Sequence, residues 1–192
     1  MASIGLLFGS FNPIHTGHLI IAEYFATQGE CERVELVVSP QNPLKQNTDL
    51  ADEKHRLAMV RLAVRGNALI KANSMELSMS KPSYTYRTLS RIAKRNPQHT
   101  YKLIIGSDNL DRFKEWKDWE SILNEYQVLV YRRPGYHGSE FEQHPNVKMF
   151  DDIPLLHISS TYIRDCLRKK LSVKYLVPDA VLRYAEQHGV YA

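Results

Sequence analysis

No segment of the 192-residue chain approaches the roughly 18 consecutive apolar residues that a membrane span needs, so none is expected. The first residues, Met1 to Phe8, carry no basic leader, and their apolar run is too short for a secretory signal. Only two cysteines are present, Cys31 and Cys166, too few for a disulfide framework. A reduced, cytoplasmic setting is the expectation. There is no Cys-x-x-Cys pair to seed a zinc site and no Asp/Glu cluster to cage a divalent cation. Charge of one sign is not in large excess either: 25 Lys plus Arg face 21 Asp plus Glu, a formal charge of +4. The basic residues are scattered, with only Arg132-Arg133 and Arg168-Lys169-Lys170 as short runs. That pattern excludes a nucleic-acid partner as the expectation while remaining compatible with phosphate-bearing ligands. Internal repeats and Gly/Ser-rich linkers are missing too, so residues 1–192 are expected to form a single domain. Nothing in the sequence signals an oligomeric state.

What is present reads as an ordinary globular chain, 43% hydrophobic and 24% charged. Ile4 to Phe8, Val34 to Val38, Ala68 to Ala72, Tyr101 to Ile105, Gln127 to Tyr131 and Val147 to Phe150 are short apolar runs that predict strands. Between them, helical patterns begin at Gly17, Asp52, Thr85 and Trp119, and two more follow at Ser160 to Lys170 and Pro178 to His188. Gly135 to Pro145 is polar and is expected to be a surface loop. Strands alternating with helices predict an α/β fold, a Rossmann-like open parallel sheet with helices on both faces. Such a sheet binds its ligand at the carboxyl ends of the strands, where Gly9, Pro40 and Gly106 fall.

The first strand runs through Gly9-Ser10-Phe11-Asn12-Pro13-Ile14-His15-Thr16-Gly17-His18 into a helix. A helix N-terminus offers unpaired backbone N–H groups and the positive end of a dipole, a setting suited to phosphate. His15 and His18, three apart on the first turn, point the same way and can donate to one phosphate chain. Zinc ligation is the competing reading, but it would need two further ligands; helix capping is the other. The two histidines, the flanking glycines and the strand–turn–helix context together favour phosphate. No Walker A loop and no Gly-x-Gly-x-x-Gly accompany them. A second motif, Ile158-Ser159-Ser160-Thr161-Tyr162-Ile163-Arg164, opens the helix near the C-terminus. Its hydroxyls can cap that helix, and Arg164 can reach an anion held at the same end.

The first segment resembles the signature of the nucleotidyltransferase superfamily, a glycine turn followed by His-x-Gly-His. With the second, it is similar to the family of bacterial nicotinate mononucleotide adenylyltransferases, and the similarity extends over nearly the whole chain. The resemblance implies that His15, His18 and Arg164 are catalytic. It also implies that ATP meets Gly9, Ser10, Phe11, Gly106, Asp108, Ser160 and Thr161, the last two with Arg164 on the β- and γ-phosphates. The pyridine mononucleotide would meet Lys45 in a Pro-x-x-Pro-x-Lys loop, the backbone of Ser83-Tyr84-Thr85, Trp116 as a stacking partner, and Arg133. One position departs from the pattern: Arg87 stands where the family usually carries an aspartate. Ser78 to Ser83 resembles the Lys-Met-Ser-Lys-Ser loop of aminoacyl-tRNA synthetases, but it lacks the first lysine and lies mid-chain.

The implied reaction is adenylyl transfer from ATP to nicotinate mononucleotide, with Mg²⁺ carried on the ATP phosphates rather than held by the protein. The attacking phosphate is already an anion, so no general base is needed, and none is apparent. Transfer to phosphopantetheine, cytidylyl transfer and a nucleotide sensor without turnover are the alternatives. The first two would not be expected to carry Ser159-Ser160-Thr161 with Arg164, and a pure sensor need not keep the histidines.

Overall fold

The computed structural model describes residues 1–40, 49–137 and 139–191. Six strands, β1 (Ser3–Gly9), β2 (Arg33–Val38), β3 (Ile70–Asn73), β4 (Thr100–Gly106), β5 (Gln127–Tyr131) and β6 (Val147–Phe150), form one sheet. Their order is β3-β2-β1-β4-β5-β6 and every pair is parallel. From β1 the chain builds outward to β2 and β3, then returns to lay β4, β5 and β6 on the other side. The reversal falls between β1 and β4, and a crevice opens there beyond their carboxyl ends, at Gly9 and Gly106.

Two apolar layers sandwich the sheet, as its buried strands require. Ile4 and Leu6 of β1 face one layer with Leu103, Ile105, Val128 and Val130, covered by α3 (Thr85–Arg95) and α5 (Trp119–Glu125). Leu7 faces the other, with Leu36 and Val38, under α1 (Thr16–Thr27), α2 (Glu53–Ala63), α6 (Ser160–Arg168) and α7 (Asp179–Gln187). Local chemistry sets the helix starts. The Asp52 carboxylate accepts from the Lys54 N–H (2.7 Å) before α2, and the Ser159 hydroxyl accepts from the Tyr162 N–H (3.1 Å) before α6. Among the described residues, no helix is long and apolar enough to cross a membrane.

The expected architecture is found, with local differences. The third strand is Ile70–Asn73 rather than 68–72, because Asn67 turns the chain first, its Oδ1 accepting from the N–H groups of Leu69 and Ile70. The polar stretch expected to be loop contains a 3₁₀ turn, Glu140–Gln143, whose Phe141 packs against Phe113 and Trp119. A second 3₁₀ turn, Met75–Ser78, precedes the Ser78 to Ser83 loop. In that loop Lys81 pairs with Glu53 (2.8 Å), a structural use of the lysine in the synthetase-like segment.

Candidate active site

The turn after β1 is packed from below. Phe11 has a positive φ of 45° and is 2% exposed, and its ring occupies the space over Gly9, where a Cβ would come within 2.9 Å. The same ring meets His18 edge-on, with centroids 5.1 Å apart. Phe11 thus supports the turn with its side chain, and only its backbone is free to meet a nucleotide. Asn12, 2% exposed, is the hub of the turn. Its Nδ2 donates to the Asp49 carbonyl, and its Oδ1 accepts from the Ala51 N–H and the Tyr191 hydroxyl.

His15 caps α1 and His18 sits in its first turn, their rings stacked 3.6 Å apart. Burial pulls the His15 pKa down to about 4 and puts that of His18 well below its ordinary value, with the Arg133 charge adding to both. Both rings are therefore neutral at pH 7. The His15 backbone N–H donates to His18 Nδ1 (3.3 Å), which leaves the ring proton on Nε2 and makes His18 a donor there. His15 Nδ1 and Arg164 Nε are buried without a protein partner, a costly state that a polar ligand would relieve.

The start of α6 docks onto this turn. The Ser160 hydroxyl donates to the Pro13 carbonyl (2.9 Å), and Arg164 Nη1 donates to the Asn12 carbonyl (2.9 Å). Arg164 Nη2 reaches the Thr161 hydroxyl (3.4 Å), and Thr161 itself is exposed. Two motifs about 150 residues apart thus form one surface.

Across the β1/β4 junction lies Gly106, where a Cβ would strike Asp108 Oδ1 and come within 2.9 Å of the Arg133 side chain. Asp108 lies in the first turn of α4 (Ser107–Leu110), with Gly106 at the cap. Its carboxylate pairs with Arg133 (2.8 Å), and the Arg133 N–H donates to the Ser107 hydroxyl. Arg133 stands at the histidine end of the crevice, where its charge is felt by both imidazoles.

Beside this junction a cleft of about 340 Å³ brings together Gly9, Ser10, Ser83, Tyr84, Thr85, Gly106 and Trp116. Of the expected residues, Gly9, Ser10 and Gly106 for the nucleotide and Ser83, Tyr84, Thr85 and Trp116 for the pyridine line this cavity; Phe11, Asp108, Arg133, Ser160 and Thr161 do not, and Lys45 lies outside the described residues. Tyr84 is the N-cap of α3, Tyr86 sits in its first turn, and Arg87 is exposed on the same turn. Two buried groups escaped sequence reasoning. Glu76, 2% exposed, lines the cleft and accepts from the hydroxyls of Ser83 (3.2 Å) and Thr88 (2.8 Å). Arg56, 1% exposed, donates to the carbonyls of Ala51, Ser10, Ser39 and Pro40 at 2.6–2.9 Å, tying α2 to the ends of β1 and β2. A signal for Arg56 existed, since it lies one turn before Val60 on the apolar stripe of α2.

A doubly wound parallel sheet, with two neutral histidines and a buried arginine at its switch point, defines the nucleotidyltransferase class of Rossmann-like enzyme. The model of the cytidylyltransferase-like family matches residues 6–166. Over 178 residues the chain is 48% identical to the "Probable nicotinate-nucleotide adenylyltransferase" of Cytophaga hutchinsonii, covering 93% of this chain and 92% of that one. It is 34% identical over 191 residues to the nicotinate-nucleotide adenylyltransferase of Bacillus subtilis, covering 100% and 99%. The fold is that of the Plasmodium falciparum nicotinic acid mononucleotide adenylyltransferase solved with NaAD: TM-score 0.83 at 21% identity, covering 100% and 98%. The chain belongs to the nicotinate-nucleotide adenylyltransferase family.

Proposed function

We propose that the chain, acting as a single domain, transfers the adenylyl group of ATP to nicotinate mononucleotide, giving nicotinate adenine dinucleotide and pyrophosphate in NAD biosynthesis. The observation that carries the reading is the meeting of the His15–His18 turn with Ser160 and Arg164 beside a cleft walled by Trp116 and Tyr84. An oxygen of the mononucleotide phosphate attacks the α-phosphorus in line. The new P–O bond forms as the bond to the β-phosphate bridging oxygen breaks, and pyrophosphate leaves with that electron pair. The nucleophile carries its own charge, so the protein's task is positioning and stabilisation of negative charge.

We assign His18 to the α-phosphate, through the proton its bonding pattern places on Nε2, and His15 to the phosphate chain. Ser160, Thr161 and Arg164 hold the β- and γ-phosphates. Arg164 keeps its Nη1 bond to the Asn12 carbonyl, so its Nε is the free donor. Asp108 and Gly106 take the ATP ribose, with the backbone of Gly9, Ser10 and Phe11 beneath it. Trp116 and the Ser83 to Thr85 backbone take the pyridine ring and its substituent. We assign Arg133, whose charge is felt by both imidazoles, to the mononucleotide's phosphate, and Lys45 to the same substrate by the family resemblance alone.

Around the histidines the donors are imidazole, guanidinium and hydroxyl, a set that suits phosphate oxygens rather than a hard cation. Among the described residues no three His, Cys, Asp or Glu side chains cluster. These residues fit a Mg²⁺ that arrives on the ATP phosphates, where it would supply charge neutralisation. We place the reaction in the cytoplasm, where both substrates would be available.

The test is pyrophosphate release by the purified protein with ATP, Mg²⁺ and either nicotinate or nicotinamide mononucleotide in parallel. Strong release with the acid form is the expected result. No release with either, from folded protein that binds ATP, would overturn the assignment.

A further inference from the structure

The turn that carries the histidines is held by segments far along the chain. Asn12 spends its side chain on two of them: Oδ1 accepts from the Ala51 N–H and the Tyr191 hydroxyl, and Nδ2 donates to the Asp49 carbonyl, at 2.8–3.1 Å. Both acceptor sites of Oδ1 are filled, and a flipped carboxamide would set like groups against each other at Ala51 and Asp49. The side chain therefore has one orientation. The backbone of the same turn faces α6, where the Asn12 carbonyl accepts from Arg164 Nη1 and the Pro13 carbonyl from the Ser160 hydroxyl. Where Asn12 is held thus fixes where Arg164 stands.

Tyr191 is the more distant partner, 179 residues from Asn12. Its φ of 74° is a conformation that a residue with a bulky side chain keeps only where its surroundings impose it. Burial pushes the phenol pKa up, so the hydroxyl stays protonated as a donor, and the charges of Arg56 and Arg164 are both felt there. A phenylalanine would fill the same apolar space, so packing alone does not require that hydroxyl. The stretch leading to Tyr191 grips the turn a second time. Between the two histidines, the Thr16 N–H donates to the Leu176 carbonyl (2.8 Å) and its hydroxyl to the Tyr175 carbonyl (2.9 Å).

We propose that Tyr191 is a positioning residue for adenylyl transfer, acting through Asn12 to set Arg164 against the histidines. The inference rests on the adenylyl-transfer reading above and deepens it. Tyr191 does not line the cleft, so its effect on the reaction passes through the turn. Without its hydroxyl, Asn12 keeps one donor at Oδ1 instead of two, and the turn is free to shift with the guanidinium it holds. Displacing a group that must meet the phosphate chain in one geometry costs turnover rather than mononucleotide binding.

The test measures steady-state kinetics with ATP, Mg²⁺ and nicotinate mononucleotide for the wild-type protein, Tyr191→Phe, Arg164→Met and the double variant. Tyr191→Phe keeps the ring and removes only the hydroxyl. Its kcat is expected to fall about tenfold, with KM for the mononucleotide within about twofold of wild type. Arg164→Met keeps the bulk of the side chain and removes the guanidinium. In that background the loss of the hydroxyl is expected to cost less than about twofold, because the group it positions is gone. A hydroxyl that only supports the fold would cost the same factor in both backgrounds, and that result would overturn the inference. So would a kcat within about twofold of wild type in Tyr191→Phe alone. Either result leaves the adenylyl-transfer reading standing. Failure of the wild-type protein to release pyrophosphate with either mononucleotide would instead sink that reading, and this inference with it.

Discussion

A histidine proposed to meet phosphate invites the assumption that it is a cation, and here the surroundings argue otherwise. His15 and His18 stack at 3.6 Å, are desolvated by burial, and lie within the field of Arg133. Each influence opposes protonation. A neutral His18 with its proton fixed on Nε2 is a preorganised hydrogen-bond donor, and loss of one such donor costs about 10²–10³ in turnover. His18→Ala should therefore lose kcat on that order at an unchanged thermal midpoint; a loss below tenfold in a folded variant would remove His18 from its role. Trp116 acts on a different quantity. Half-buried on Phe113 (5.2 Å between centroids), it offers its ring to the cleft. Trp116→Ala should raise KM for the pyridine nucleotide more than KM for ATP, and equal rises would count against stacking.

At the scale of elements, the site depends on ends being held where the strands deliver them. Arg56 does this for α2, with four hydrogen bonds fanned to carbonyls after β1, after β2 and ahead of α2 itself. Arg56→Ala would bury those acceptors unpaired, at roughly 1–3 kcal/mol each where water cannot replace the bond. A drop in thermal midpoint of about 6 °C or more is expected, at about 2–4 °C per kcal/mol for a chain of this size. Arg56→Lys should recover little, because one ammonium cannot span acceptors set for a planar fork. A variant within about 2 °C of the wild type would mean that the carbonyls find other partners. This network also shows what a sequence does and does not reveal. Strands such as β1 and β4 were legible as apolar runs closed by glycine, and both phosphate motifs as capped helix starts, because the signal in each is local. Arg56, Asn12 and Tyr191 were not, since they meet partners 37 to 179 residues away, and Glu76 was not because a carboxylate reads as exposed until the hydroxyls that bond it are known. The Glu140–Gln143 turn was missed for a related reason: a single phenylalanine in a polar stretch anchors it.

For the whole molecule, the depressed histidines couple stability, pH and ligand. The folded protein keeps His15 neutral down to about pH 4, whereas the unfolded chain protonates it near the ordinary imidazole value of 6.5. Between those values the unfolded state binds the extra proton, so stability is full above pH 6.5 and falls as pH drops toward 4. The slope is about 1.4 kcal/mol per pH unit for each group fully in that window, and His18 adds to it in the same direction. Urea midpoints taken from pH 7.5 to 4.5 should show this decline, and His15→Gln should flatten it; equal slopes in the two proteins would mean that other groups govern acid stability. Bound ATP acts in the opposite sense. With the phosphate chain against the imidazoles, as proposed, their charged form is favoured and their pKa values rise, so binding is expected to take up protons below neutrality. Calorimetric titrations with ATP at pH 6 in buffers of different ionisation enthalpy should then give different apparent heats, and less so in His15→Gln. The same linkage requires that ATP raise the urea midpoint more at pH 5.5 than at pH 7.5. A pH-independent increment would show that the phosphates meet the histidines without changing their protonation, as hydrogen-bond acceptors alone.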